Sequence, residues 1–286
     1  MDALQPVAPL DVVALLPGER HALLDLLSGL EPAAWEAPTE CPAWSVKGIA
    51  LHVLGDDLSL LSRQRDEATN GLLLYAADHP GLDFKALLDG FNERWVTAAG
   101  FLSTRLVLSL LELSGDLTAE YYAAVDPLAP GEQVRFFGST GPSPFWQAIA
   151  REYAERWLHQ QQVRRAVGAP DLGGEHLVTA ARVVLLGLAA HLHDLGASAG
   201  DTLAFVIPDV GRWTLRRGDD GWELLEGGDP VAATAALTLH PGRAAPALSR
   251  GLDRADVPGV LTAGGDPVLA AAAVTGCAVL LARPPG

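Results

Sequence analysis

Apolar side chains recur every three or four positions through most of the first 166 residues, then switch to shorter runs and alternations. The two periods separate helix from strand. Leu15, Leu16, His21, Leu23, Leu24, Leu26 and Leu27 predict a first amphipathic helix from about Pro17 to Leu30, ending near Gly29. A proline-punctuated loop with Trp35 and Trp44 follows, and Ser45 is placed to cap a second helix from about Val46 to Glu67. That helix turns polar after His52, where Asp56, Asp57, Arg63, Gln64 and Arg65 interrupt the apolar pattern. Asn70-Gly71 and His79-Pro80-Gly81 mark residues 70–83 as loop. A third helix is predicted over Phe84–Leu113, kinked near Gly100, with Leu87, Leu88, Phe91, Trp95, Ala98, Leu102, Leu106, Leu110 and Leu113 as its buried stripe. After a Gly- and Pro-rich loop from Leu128 to Pro144, Arg151–Ala166 contains no breaker and predicts a fourth helix. Four long helices with a polar lane between two of them predict a bundle with an interior site.

The character changes after Gly168-Ala169-Pro170-Asp171-Leu172-Gly173-Gly174. One apolar helix, Leu177–Leu195, precedes strand-like runs at Thr202–Ile207, Gly211–Arg216, Gly221–Leu225 and Ala235–His240. Arg217-Gly218-Asp219-Asp220-Gly221 is a strong hairpin signal. Short helices are expected around Gly242–Arg250 and Pro267–Leu281. The predicted fold class is therefore α plus α+β: a helical domain over residues 1–170 and a small α+β domain over 175–286.

Of 286 residues, 49% are hydrophobic and 19% charged, which describes a globular chain with a large core. The net charge of −15 argues against a nucleic-acid partner, which would need a basic stripe. No apolar run reaches membrane-spanning length, and the first residues lack the basic flank and apolar stretch of a signal peptide, so the expected location is the cytoplasm. The two cysteines, Cys41 and Cys277, form neither a disulfide framework nor a thiolate metal site. Cys41 reads as a small buried hydrophobe more readily than as a nucleophile, so any thiol in the chemistry arrives with a small molecule.

Candidate chemistry centres on Glu155 and His159. Four apart on a helix, they share a face, and a carboxylate oxygen and an imidazole nitrogen can converge on one cation. Such pairs are more often solvated contacts than ligands, and a catalytic zinc site wants a third protein ligand. His52, in the second helix, is the candidate; Asp56, one turn on, could close a four-ligand structural site instead. The histidines of His191-Leu192-His193-Asp194 point to different helix faces and read as a helix C-terminal feature. Asn92, Arg63, Arg65 and Arg94 in the helical part and Arg250 in the second domain could bind substrate or thiol, although each arginine is more readily a surface ion pair or a snorkelling side chain. Phe136-Phe137 and Phe145-Trp146 could line a site mouth or an interface, with core packing as the plainer reading.

Trp35, Pro38-Thr39-Glu40-Cys41-Pro42-Ala43-Trp44-Ser45-Val46 and His52 together resemble the opening of the mycothiol-dependent maleylpyruvate isomerase family, in the DinB-like superfamily of metal-binding four-helix bundles. Glu152-Tyr153-Ala154-Glu155-Arg156-Trp157-Leu158-His159-Gln160-Gln161 resembles its second signature. Ser249-Arg250-Gly251-Leu252 and Gly265-Asp266-Pro267 resemble the closing motif of its sterol-carrier-like α+β domain. The resemblance implies a divalent metal, most simply Zn2+, on His52, Glu155 and His159, with mycothiol or a similar small thiol as co-substrate. A thiolate made there would add to an electrophilic, acidic small molecule, giving cis–trans isomerisation or S-transfer. Arginines would hold the acid. A metal-dependent hydrolase and a non-catalytic small-molecule-binding protein with a structural metal are the alternatives, and the chain is expected to be a monomer or homodimer.

Overall fold

The computed structural model describes residues 4–192 and 197–283, so His193 and Asp194 lie outside the described residues. Two compact units are present: Val13–Val125 with Gln162–Pro170, and Met1–Val12 with Asp126–Gln161 and Asp171–Gly286.

The first unit is helical. Helix α1 spans Leu16–Ser28 and α2 spans Val46–Leu60, continuing into a π-helical turn at Leu61–Arg65. Helices α3 (Gly71–Asp78), α4 (Phe84–Ala99) and α5 (Thr104–Ala124) follow. Its core joins Leu23 and Leu27 of α1, Ile49, Leu51 and Leu54 of α2, Ala99 at the end of α4, and Val107 and Leu111 of α5. Ser45 caps α2 as expected, its side chain accepting from the Gly48 amide.

Three expectations are corrected here. Residues 71–78 are helix, not loop, because Asn70 acts as a cap: its side-chain oxygen accepts from the Leu72 amide at 2.9 Å. The long third helix is two helices, since Ser103 starts a new one by accepting from the Leu106 amide. The break resets the helical phase. The buried stripe of α5 is therefore Val107, Leu111, Ser114, Thr118 and Tyr122, while Leu106 and Leu113 are exposed.

The second unit is built on a six-stranded sheet. Strand β1 is Gln5–Pro6; β2 (Pro130–Gly131) and β3 (Ser143–Pro144) form a separate ribbon before helix α6, Phe145–Ala166, which belongs to this unit as far as Gln161. Helix α7 (Glu175–His191) leads to β4 (Thr202–Ile207), β5 (Gly211–Arg217), β6 (Trp222–Glu226) and β7 (Ala235–Leu239). Helix α8 (Ala244–Leu248), strand β8 (Leu261–Gly265) and helix α9 (Pro267–Leu280) complete the chain. The sheet order is β1-β6-β5-β4-β7-β8, antiparallel throughout except that β7 returns parallel to β4. The expected hairpin closes β5 to β6, with the Gly218 amide donating to the Gly221 carbonyl at 2.8 Å. Along β7, Ala235, Leu237 and Leu239 are buried and the residues between them are not, the period of a strand with one covered face. Helix α7 packs on β6, and α9 packs on β7, β8 and α7. Trp157 and Tyr153 of α6, Phe205 of β4 and Trp213 of β5 are the largest side chains sealed in this unit. Among the described residues no helix is long and apolar enough to cross a membrane.

Candidate functional site

In the helical unit the polar second half of α2 faces a cavity of about 700 Å3. This lies within the usual range for small-molecule sites. Trp95 forms part of its wall, and Trp44 packs against the lining residue His52. Gly55 has no Cβ, and one placed there would stand 2.4 Å from the Trp95 ring; the indole lies against α2, its Nε1 donating to the Leu51 carbonyl at 2.7 Å. Trp44 is tied down through Nε1 to Glu93 at 2.9 Å, and its ring sits 4.5 Å from that of His52. His52 is consequently buried, yet it lines the cavity, with Nε2 3.3 Å from the Asp56 carboxylate. Asn92 and Arg94 of α4 lie on the same cavity.

Four of the candidate residues, His52, Asp56, Asn92 and Arg94, are thus brought together. Arg63 and Arg65, on the π-helical turn, are not among the lining residues; Arg65 makes a two-bond ion pair with its neighbour Asp66, at 2.8 and 3.0 Å. Tyr75, Phe91 and Trp95 also line the cavity. Phe91 and Trp95 are half-buried rather than core, a correction to the predicted stripe, and α4 buries only Ala99. Aromatics at helical spacing look the same in sequence whether they wall a core or a cavity. Tyr75 carried no such signal, because its helix is hidden behind the turn-like Asn70-Gly71.

In the other unit, α6 carries Glu155 and His159 on one face, with Oε2 3.7 Å from Nε2. Arg151, one turn earlier, donates to the second carboxylate oxygen and lies 4.8 Å over the Phe136 ring. Arg151, Glu155, Phe136 and Arg250 line one small cavity. Arg250 sits in a left-handed conformation (φ 55°), and its desolvation lowers the guanidinium pKa. No carboxylate pairs with it among the described residues. An arginine so placed is a ready receptor for an anionic group. His191, at the end of α7, bonds back through Nδ1 to the Gly187 carbonyl at 2.8 Å, as expected of a helix C-terminus.

Each His–carboxylate pair offers one nitrogen and one oxygen donor, which fits part of a mixed N/O site for a borderline cation such as zinc. Neither pair is a complete site: among the described residues no group of three or more His, Cys, Asp or Glu side chains could hold a metal. Neither cysteine is a ready thiolate. Burial pushes the Cys277 thiol up to about 12 and raises that of Cys41, with Asp89 and Glu93 adding to the latter. A raised thiol stays protonated until the pH approaches its pKa, so Cys277 is held as the thiol at neutral pH. We predict that iodoacetamide labels Cys277 only after denaturation. Peptide mass spectrometry showing rapid native labelling would contradict this burial.

The chain thus combines a helical unit and a mixed-sheet unit, with histidine–carboxylate pairs on long helices. The particular family follows from sequence: residues 16–164 match the model of the mycothiol maleylpyruvate isomerase N-terminal domain, and the chain belongs to that family. The fold agrees with a solved structure, a histidine-to-alanine variant of the mycothiol-dependent maleylpyruvate isomerase, at 12% identity and a TM-score of 0.52, covering 88% of this chain and 91% of that one. A second structure of that isomerase aligns over the same shares of both chains at 14% identity, with a TM-score of 0.44. No curated protein matches the chain.

Proposed function

We propose that the protein is a metal-dependent enzyme that uses mycothiol or a similar small thiol to attack an electrophilic, acidic small molecule, by cis–trans isomerisation or S-transfer. The family match over residues 16–164 carries this reading, because it spans both signature segments and all three proposed ligands. His52, Glu155 and His159 would hold the cation, and the cation would supply a low-pKa position for a thiol. Residues 1–170 as a DinB-like four-helix bundle and 175–286 as a sterol-carrier-like domain belong to the same proposal.

The chain's own residues have separable roles in this proposal. Trp44 and Asp56 fix the His52 ring, the first by packing its tilted ring against it and the second by facing Nε2. Arg151 holds one oxygen of Glu155 and leaves the other toward His159. Arg250, desolvated and without a carboxylate partner among the described residues, would take the substrate's acid group.

Elemental analysis of the purified protein beside His52→Ala and His159→Ala tests the metal. The expected result is about one zinc per wild-type chain and a loss of at least tenfold in either variant. Metal absent from wild type after zinc is supplied, or retained in both variants, would sink the ligand set. Equal loss on Asp56→Ala would instead favour a four-ligand structural metal and the binding-protein reading, since Asp56 already faces His52.

A further inference from the structure

The two edges of the six-stranded sheet are built differently. At one end β1 is two residues long and includes Pro6, and both features blunt an edge. At the other end β8 runs for five residues, Leu261-Thr262-Ala263-Gly264-Gly265, without proline or charge, and all but Leu261 are exposed. An open edge of this kind is a template for another strand.

The register fixes which backbone groups are free. The His240 amide donates to the Val260 carbonyl and the Asp266 amide to the Thr234 carbonyl, so the even-numbered positions of β8 bond to β7. Leu261, Ala263 and Gly265 stand in the alternate phase and turn their N–H and C=O outward. Among the described residues, none of these outward groups bonds to another backbone group.

This phase is self-complementary. About a two-fold axis at Ala263, a second β8 would set Ala263 opposite Ala263 and Leu261 opposite Gly265, and outward donors would meet outward acceptors. Thr262 would lie opposite Gly264, so neither bulk nor like charge opposes closure. Charge selects the same partner. The chain carries −15, so two copies repel wherever their charged faces meet. From Val257 to Ala282 the only charged side chain is Asp266, which is committed to the Val268 and Leu269 amides of α9. Helix α9 packs on β7 and β8, and its exposed positions, Val268, Ala271, Thr275 and Val279, are all uncharged. The two-fold would carry both α9 helices to one face of the joined sheet without repulsion between them.

We propose that the protein forms a homodimer by antiparallel pairing of β8 with β8 of a second copy, joining two six-stranded sheets into one. The pairing is independent of the enzyme reading above.

Sedimentation velocity of the full chain over a concentration series tests it. The expected species has twice the 30.0 kDa mass of one chain, and Ala263→Pro and Thr262→Glu should each weaken association about tenfold or more. Proline at this position removes only an outward N–H, so the bonds to β7 and the far-UV circular dichroism should be unchanged. Thr262→Glu, which adds a carboxylate to each side of the joint, decides the matter if the proline variant fails to fold. Amide exchange followed by NMR reads the register. Raising the concentration should slow exchange at Leu261, Ala263 and Gly265 and leave Thr262 and Gly264, already bonded to β7, unchanged. A wild type that stays at single-chain mass, its edge left for another protein's strand, would overturn the proposal. So would a dimer that survives both substitutions with exchange along β8 unaffected.

Discussion

Asp57→Ala is expected to destabilise the helical unit by about 3–5 kcal/mol, the usual cost of stranding one member of a buried ion pair. Asp57 is completely buried on α2, beside cavity-lining Asp56 in sequence, and its carboxylate meets Arg20 of α1 at 2.7 Å. The Ser114 hydroxyl of α5 donates to the same oxygen at 2.7 Å, and Arg20 also donates to the Leu111 carbonyl. One carboxylate therefore ties three helices together. Gly115 makes room for this: a Cβ there would sit 2.7 Å from the Arg20 side chain. Removing Asp57 leaves a guanidinium sealed from water without its counter-charge, whereas Arg20→Met with Asp57→Leu removes both charges and should recover most of the loss. Urea denaturation followed by circular dichroism gives the measurement, fitted with two transitions if the compact units unfold separately. A loss below about 1 kcal/mol for Asp57→Ala would show that the pair is hydrated and behaves as a surface ion pair.

The same three helices show what the chain made legible. The buried face of α2 follows from its apolar spacing, and its polar lane from the residues after His52, so the cavity's wall could be anticipated. The pairing of Asp57 with Arg20 could not, because the two are far apart in sequence and nothing local distinguishes a buried carboxylate from the exposed Asp66. Helix α3 escaped because asparagine before glycine favours turns and helix caps through the same short side chain. Strand β8 escaped for a different reason. Thr262-Ala263-Gly264-Gly265 is exposed at a sheet edge and has no alternation for one face to impose. Glu155 and His159 were legible as a pair, since helical spacing alone puts them on one face. The engagement of Glu155 by Arg151 was available from that spacing too, one turn in the other direction. Arg250 gave less away: its left-handed backbone and desolvation come from packing that the local sequence does not encode.

Gly265→Ala should cost roughly 2–4 kcal/mol, while Gly264→Ala should stay within about 0.5 kcal/mol of wild type. The two glycines are neighbours on the edge strand β8, and they differ in what a methyl group would meet. At Gly264 an added Cβ would find nothing within 4 Å, so the methyl group faces open space. At Gly265 the backbone has φ of 80°, and a Cβ would approach the Thr234 carbonyl oxygen at 2.5 Å and the Ala235 Cα at 2.8 Å. Those neighbours are backbone atoms of the adjoining strand and cannot swing aside. The left-handed conformation adds its own penalty for any residue with a side chain. The position is fixed from both sides: Gly265 pairs with Ala235 in the ladder, and the next amide, Asp266, donates to Thr234 at 2.7 Å. Asp266 then caps α9 by accepting from the Val268 and Leu269 amides, with Pro267 in the first turn. A shifted Gly265 would drag this cap with it, so the loss should appear both in thermal unfolding and in faster amide exchange at the start of α9. Equal stability of the two variants would mean that β8 yields at its end, and that the glycine in this closing motif is not set by the strand-to-helix turn.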